Sequence, residues 1–358
     1  MRRQGPAPDA PIPVTLLTGF LGSGKTTLLN ALLRQPALAQ TLVVINEFGA
    51  IALDHHLVVH DRSQEQIVDL RGGCLCCTVR GDLISTLRNA RWRFSQQGRR
   101  QFQRVIIETT GLADPAPILR TLMTDPQLED HYRIDGIVTA LDAVNGVSTL
   151  AAHDEARKQV AVADAVVLTK SDLVDGLRIA QLHAQLNGIN PGALRLDAAA
   201  RPIQARHLLG LGFDPAAKSA DVLRWLAAEV AQVHDHDHDH HHDNEVNRHS
   251  DAISAFCVRV DAPLQAEAVL GWLADQVDLH GERLLRVKGI LNIAGDPQPT
   301  VIHGVQHVWH PPMRMDDWPD ADRSSRLVFI TRDVPRAAIE DGLRRCVGSA
   351  YTVQEQAA

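Results

Sequence analysis

The stretch Val14-Thr15-Leu16-Leu17-Thr18-Gly19-Phe20-Leu21-Gly22-Ser23-Gly24-Lys25-Thr26-Thr27 decides the fold. Val14 to Thr18 is an apolar, partly β-branched run of the kind that forms a buried parallel strand. From Lys25 the apolar positions Leu28, Leu29, Leu32 and Leu33 recur at helical spacing, so Gly19 to Thr26 joins a strand to a helix. This G-x-x-x-x-G-K-T stretch is a complete phosphate-binding loop. Gly19, Gly22 and Gly24 let the backbone curl, and the N–H groups of Phe20, Leu21, Ser23 and their neighbours face phosphate oxygens at the positive end of the helix. Lys25 reaches the β- and γ-phosphates, the Thr26 hydroxyl ligates Mg²⁺, and Thr27 opens the helix beside them.

Outward from this loop, short apolar runs alternate with helical patterns. They are Leu42-Val43-Val44-Ile45, Val105-Ile106-Ile107, Gly136 to Leu141 and Ala165-Val166-Val167-Leu168. That alternation predicts an α/β domain with a mainly parallel sheet and its ligand at the carboxyl ends of the strands. Polar residues close each run: Asn46-Glu47-Phe48-Gly49, Glu108-Thr109-Thr110-Gly111, Asp142 and Thr169-Lys170-Ser171-Asp172. Glu108 is placed as the acid that holds Mg²⁺ through water or orients the attacking water, and the Gly111 N–H faces the γ-phosphate. With Lys25, Glu108 forms the catalytic pair. Asp142 competes for the acid role, but no glycine follows it three residues on, and it reads better as a cap or turn acid. Thr169-Lys170-Ser171-Asp172 matches a guanine-reading N/T-K-x-D motif. The Asp172 carboxylate accepts from N1–H and the 2-amino group, which adenine lacks, and the Lys170 stem covers the base. Thr169 stands where asparagine is usual and lacks the amide that braces the loop.

Three of the five cysteines, Cys74, Cys76 and Cys77, fall within four residues after Arg71-Gly72-Gly73. The spacing is not C-x-x-C, so it fits neither a zinc ribbon nor a thioredoxin motif. Thiolates suit Zn²⁺, Co²⁺ or Cu⁺. Adjacent Cys76 and Cys77 do not easily share one ion on an extended backbone, so two or three thiolates with an outside ligand are expected, a shell that can release its metal. Buried small hydrophobes or a redox pair are the alternative readings. A histidine-rich segment, His234-Asp235-His236-Asp237-His238-Asp239-His240-His241-His242-Asp243, has no apolar face and reads as a disordered, solvated linker that captures divalent metal weakly, the alternative being a charged linker with no metal role.

The 358 residues suffice for two domains, and their 45% hydrophobic content is that of a globular chain. The expected division is a disordered N-terminus over 1–12, a nucleotide domain over 13–230, a His/Asp-rich linker over 231–250 and a small α+β domain over 251–350. In the last, strands are expected at Ser254 to Val260, Leu284 to Ile293, Val301 to Trp309 and Arg326 to Thr331, with helices at Leu264 to Asp275 and Pro335 to Val347 on one sheet face. His303 and His307 then share one strand face as surface residues, and Cys257 and Cys346 read as core. No run approaches the ~18 apolar residues of a membrane span. The net charge is −7, of which the His/Asp tract to Glu245 supplies −5, with no basic block for nucleic acid. An odd cysteine count without a pairing framework points to a reducing cytoplasm.

Taken in this order, Gly19 to Thr27, Asn46 to Gly49, Gly73 to Cys77, Glu108 to Gly111, Thr169 to Asp172, the histidine tract and Arg286-Val287-Lys288-Gly289-Ile290-Leu291 resemble the CobW family of P-loop GTPases. These are relatives of the GTPases that deliver nickel to urease and hydrogenase. The resemblance implies a GTP-hydrolysing metallochaperone: a transition metal, Zn²⁺ or Co²⁺, sits at the C-x-C-C motif, Glu47 lies in a switch region near metal and Mg²⁺, and the partner is a client metalloprotein. Homodimerisation is left open. One departure is Ala50-Ile51-Ala52, where relatives often carry a further acid and a glycine. A P-loop ATPase or small-molecule kinase with an incidental cysteine cluster, and a metal-storage protein, are the competing classes.

Overall fold

The computed structural model describes residues 10–46, 66–69, 78–96, 99–212 and 253–347. They cluster into two compact units: Met1–Gly146, Asp164–Asp175 and Arg195–Phe213 form the first, and Val147–Ala163, Gly176–Leu194 and Asp214–Ala358 the second.

The first unit is built on a seven-stranded sheet. Its strands are β1 (Ile12–Thr18), β2 (Thr41–Asn46), β3 (Gln66–Asp69), β6 (Arg104–Thr109), β7 (Tyr132–Asp142), β8 (Ala165–Thr169) and β9 (Leu194–Asp197), in the order β3-β2-β6-β1-β7-β8-β9. A two-stranded ribbon of β4 (Ser95–Gln96) and β5 (Arg99–Arg100) stands apart from it. β1 runs parallel to both β6 and β7, and β2 to both β3 and β6. β1 is therefore central, and its five last residues are all buried, as the unbroken apolar run requires. All five strands expected from the apolar runs are present. The helices here are α1 (Lys25–Leu33), which buries Leu28, Leu29 and Leu32, α2 (Thr78–Arg93) and α3 (Ala116–Thr124). Asp135, 1% exposed, stitches the base of the sheet: it accepts from Arg104, from Arg133 at 3.3 Å and from the Gly210 N–H at 3.0 Å.

The second unit contains α4 (Gly146–Ala152, entered from the first unit at Gly146), α5 (Asp154–Ala161), α6 (Gly176–Ile189) and the C-terminal region. There β10 (Ile253–Val260), β11 (Leu284–Leu291), β12 (Thr300–Val305), β13 (Val308–Trp309) and β15 (Ser325–Arg332) pair in the order β10-β15-β11-β12-β13, with β14 (Met313–Arg314) on β12. Every pairing among these named strands is antiparallel, and an isolated parallel bridge joins Leu264 to Ile293. α7 (Ala266–His280) and α8 (Arg336–Val347) cover one face, where Phe256, Trp272, Val287, Phe329, Ile339 and Leu343 form the core. The Phe256 and Phe329 rings stack at 5.7 Å, and Trp272 meets Phe329 edge-on at 6.0 Å.

The expectation of helices on a single sheet face is too narrow. A sheet wet on one side alternates buried and exposed residues, whereas β15 is buried at every position but its last and β11 at all but Lys288. The cause is α5 and α6, which lie against β11 and β10. Asn190, just after α6, donates its side-chain amide to the carbonyls of Val160 (2.9 Å), Ala161 (3.0 Å) and Ala163 (2.9 Å), and Arg286 of β11 donates to that of Val162. The carbonyls that end α5 thus find side-chain donors on Asn190 and Arg286.

The reading of His303 and His307 as surface neighbours on one strand is also overturned. A turn at Gln306 and His307, with Gln306 at φ 52°, breaks the segment into β12 and β13. His307 is exposed; His303 is fully buried and stacks on His310 at 5.0 Å. Among the described residues no helix is long and apolar enough to cross a membrane.

Candidate functional site

β1 delivers Thr18 to the carboxyl edge of the sheet, and the chain leaves it at Gly19. A side chain there would place its Cβ 2.2 Å from the Ala140 carbonyl oxygen of β7, so only glycine lets the loop start this close to the neighbouring strand. Gly24, left-handed at φ 84°, caps α1 and turns the loop back over the helix end. The Lys25 ammonium donates to the Gly19 and Phe20 carbonyls at 2.9 and 3.2 Å. β6, adjacent to β1, brings Glu108 opposite Leu17. Glu108 is 5% exposed, and its Oε1 accepts from the Thr26 hydroxyl at 2.7 Å. Two residues whose roles were read separately from sequence therefore share one point. Thr109 donates to the Thr18 hydroxyl at 2.9 Å, locking the two strand ends together. Gly111 lies so close to the loop that a Cβ on it would stand 2.6 Å from the Leu21 backbone nitrogen.

The Thr169–Asp172 segment meets the same loop from the other side. Thr169 ends β8 and donates its hydroxyl to the Ser23 carbonyl at 2.8 Å. Lys170 is left-handed at φ 58°, and its ammonium donates to the Gly22 carbonyl at 2.9 Å and to Asp142 Oδ2 at 2.8 Å. Asp142 also accepts from the Val144 N–H at 2.8 Å and the Asn145 side chain at 3.1 Å. Burial pushes its carboxyl upward, but the hydrogen bonds from Lys170, Val144 and Asn145 with the lysine's charge outweigh it and hold the group below the usual carboxylate range. Asp142 is accordingly a turn acid, as expected, and in addition the partner of Lys170. Ser171 donates to Asp197, which also accepts from the Ala199 and Ala200 N–H groups at 2.9 and 3.0 Å. Asp172 is exposed in the following turn. Asp142 in this bracing role, Asn145 and Asp197 were missed from sequence; an acid closing the last buried position of β7 was the available signal for the first.

The family model for the CobW/HypB/UreG nucleotide-binding domain matches residues 13–196, and that for the cobalamin synthesis protein cobW C-terminal domain matches residues 253–347. The chain belongs to the CobW family of P-loop GTPases. Zinc chaperone YjiA of Escherichia coli K12 is 33% identical over 94% of this chain and 99% of its own length. Zinc chaperone CobW of Pseudomonas aeruginosa is 30% identical over 94% of this chain and 91% of its own. The crystal structure of Zn(II)-bound YjiA GTPase from E. coli superposes with a TM-score of 0.66 at 28% identity, covering 94% of this chain and 99% of that one. The same protein has also been solved with Zn(II) bound as a triple mutant in which one glutamate and two cysteines are alanine.

Cys74, Cys76, Cys77, Glu47 and the histidines 234, 236, 238, 240, 241 and 242 of this CobW-family chain lie outside the described residues. Among the described residues no group of three or more His, Cys, Asp or Glu side chains is placed to hold a metal ion. The remaining cysteines, Cys257 and Cys346, are partly buried rather than fully in the core. Burial raises the Cys346 thiol, which donates to the Ala268 carbonyl at 2.9 Å, so it is a poor source of thiolate.

Proposed function

We propose that this GTPase uses GTP binding and hydrolysis to deliver a divalent transition metal, zinc, to a client metalloprotein. The observation that carries the reading is the convergence of the phosphate loop, Glu108 and the Thr169–Asp172 loop on one edge of the sheet, in a chain whose full-length relatives are named zinc chaperones. In this reading Gly19 to Thr27 and Gly111 cradle the phosphates, Lys25 neutralises charge on the transferring phosphoryl group, and Asp172 accepts from the guanine edge. The paired oxygens of Thr26 and Glu108 are hard donors of the kind Mg²⁺ takes, and bound Mg²⁺ supplies charge stabilisation for the triphosphate. Glu108 then orients the attacking water. Zinc is the cargo, held by Cys74, Cys76 and Cys77 with Glu47 alongside, and the histidine tract adds weak capture sites.

Phosphate loops of this kind order neighbouring segments through the γ-phosphate and relax them on hydrolysis. Glu47 and Cys74 to Cys77 lie in sequence between the loop and Glu108, where such segments fall. GTP therefore tightens the cysteine site, and zinc tightens GTP by the same factor. The test is Zn²⁺ affinity with Mg²⁺ and a non-hydrolysable GTP analogue against GDP, repeated for Cys76→Ala and Cys77→Ala. A coupling of ~1–3 kcal/mol, roughly 5- to 150-fold, is expected. Because the relative holds zinc even as a triple mutant, the comparison is of affinities and not of zinc presence. Equal affinities in the two nucleotide states would leave a GTPase with an independent metal site.

A further inference from the structure

We infer that Asp142 is a positioning residue for base recognition: it fixes Lys170, and through it the Thr169–Asp172 loop, against the phosphate loop. The inference rests on the reading of that loop as the one that meets the base, and it assigns to a neighbouring strand the brace that the loop's own first residue does not provide.

Asp142 closes β7 directly beside Thr169, which closes β8; the two residues are register partners. Its carboxylate is oriented before the lysine arrives, because the Val144 N–H and the Asn145 amide both donate to it. Lys170 then docks on a preset anion. That matters because Lys170 occupies the left-handed region, unfavourable for a residue with a β-carbon unless its surroundings hold it there. The recorded ammonium partners are the Gly22 carbonyl and Asp142, one on the phosphate loop and one on β7. Asparagine in place of Thr169 would offer an amide with two N–H donors; the threonine hydroxyl offers one, spent on the Ser23 carbonyl. The salt bridge supplies the second tie. It does so geometrically rather than by raw strength, since the Lys170 side chain is 40% exposed and solvent screens the pair. The same geometry separates Asp142 from the catalytic acid: the Thr26 hydroxyl is held by Glu108 on β6, whereas Asp142 is committed to the base side.

The test measures affinities for GDP, ADP and inorganic tripolyphosphate in the full chain and in Asp142→Asn, Lys170→Met and the two combined. Asp142→Asn keeps an oxygen for the Val144 N–H, and so the turn, while putting an amide nitrogen where Lys170 and Asn145 donate; Lys170→Met keeps the aliphatic stem. Each single change is expected to narrow the preference for GDP over ADP about 2- to 12-fold, the scale of one ordinary net hydrogen bond, because solvent screens the pair. Tripolyphosphate affinity should stay within about twofold of the parent, and the double variant should be no worse than the weaker single one. A purely structural role would lower all three affinities together with the melting temperature. That result, additive losses, or an undiminished GDP preference in Asp142→Asn would overturn the inference. If the unaltered chain itself fails to prefer GDP over ADP, the base-reading assignment falls first.

Discussion

Gly111→Ala probes the close approach of the Gly111 turn to the phosphate loop. The added methyl would stand 2.6 Å from the Leu21 nitrogen, 2.7 Å from its Cδ2 and 2.8 Å from its Cα. The Cδ2 can rotate away, but the other two atoms are backbone of the phosphate loop. Ordinary contact begins near 3.4 Å, so the loop and the Gly111 turn must separate by about 0.8 Å. A misplacement on this scale around a reacting group costs up to ~10²-fold in rate. Some of the shift is absorbed by the Gly111 side, so a fall in kcat/KM for GTP of about 30- to 100-fold is expected, ~2–2.7 kcal/mol of transition-state stabilisation. Phosphate release at limiting GTP gives kcat/KM, and thermal melting shows whether the fold is intact. Gly271→Ala is the control: its Cβ meets nothing within 4 Å, and inside α7 alanine should stabilise by ~0.5–1 kcal/mol. A Gly111→Ala protein with unaltered kcat/KM would show that Leu21 does not form part of the working cradle.

Glu108→Gln keeps an oxygen for the Thr26 hydroxyl and loses the charge; single-turnover phosphate release should slow ~10²- to 10⁴-fold while GTP affinity moves only a few-fold. Asp135→Ala strands Arg104, Arg133 and the Gly210 N–H, and urea titration should show a loss of ~3 kcal/mol, the low end for a broken buried pair because both arginines keep some solvent. His303 is held well below the ordinary imidazole value by burial and then by the charges of Arg286, Lys288 and His310. The unfolded chain therefore takes up a proton near pH 6.5 that the native state refuses, so stability is complete above that pH and falls below it, by up to ~1.4 kcal/mol per pH unit. His303→Leu should flatten the urea midpoint between pH 7 and pH 5; an unchanged slope would place the titration elsewhere.

The five strands and the phosphate loop were legible because a strand buried on both faces leaves an unbroken apolar run, and because each run ended in chemistry suited to the ligand edge. β3 left no such mark: Gln66-Ile67-Val68-Asp69 has only two apolar residues at its centre. β12 and β13 were merged because the turn between them uses Gln306 and His307, neither of which is a turn residue by type. The pairing of Lys170 with Asp142 spans 28 residues, and that of Arg286 with Val162 spans 124, distances over which no local pattern survives. Lys170 was read as part of a base-reading motif, yet the acid that holds it came from another strand. Arg286, a charge inside the apolar strand β11, is accounted for by the Val162 carbonyl at the end of α5.

The hold of Asn190 and Arg286 on the end of α5 also has a consequence in time. A ribosome finishes α6 well before it makes β10, β11 and β15, the strands that complete the covering sheet. Arg332, the last residue of β15, emerges 142 positions after Asn190, a delay of roughly 7–30 s at ordinary synthesis rates of ~5–20 residues per second. Until then the sides of α5 and α6 that will meet the sheet face the cell, and the Val162 carbonyl awaits its arginine. The nascent protein is most exposed to capture or aggregation in that interval, so codon changes that slow translation between residues 190 and 332 should lower its yield even though the finished sequence is unaltered.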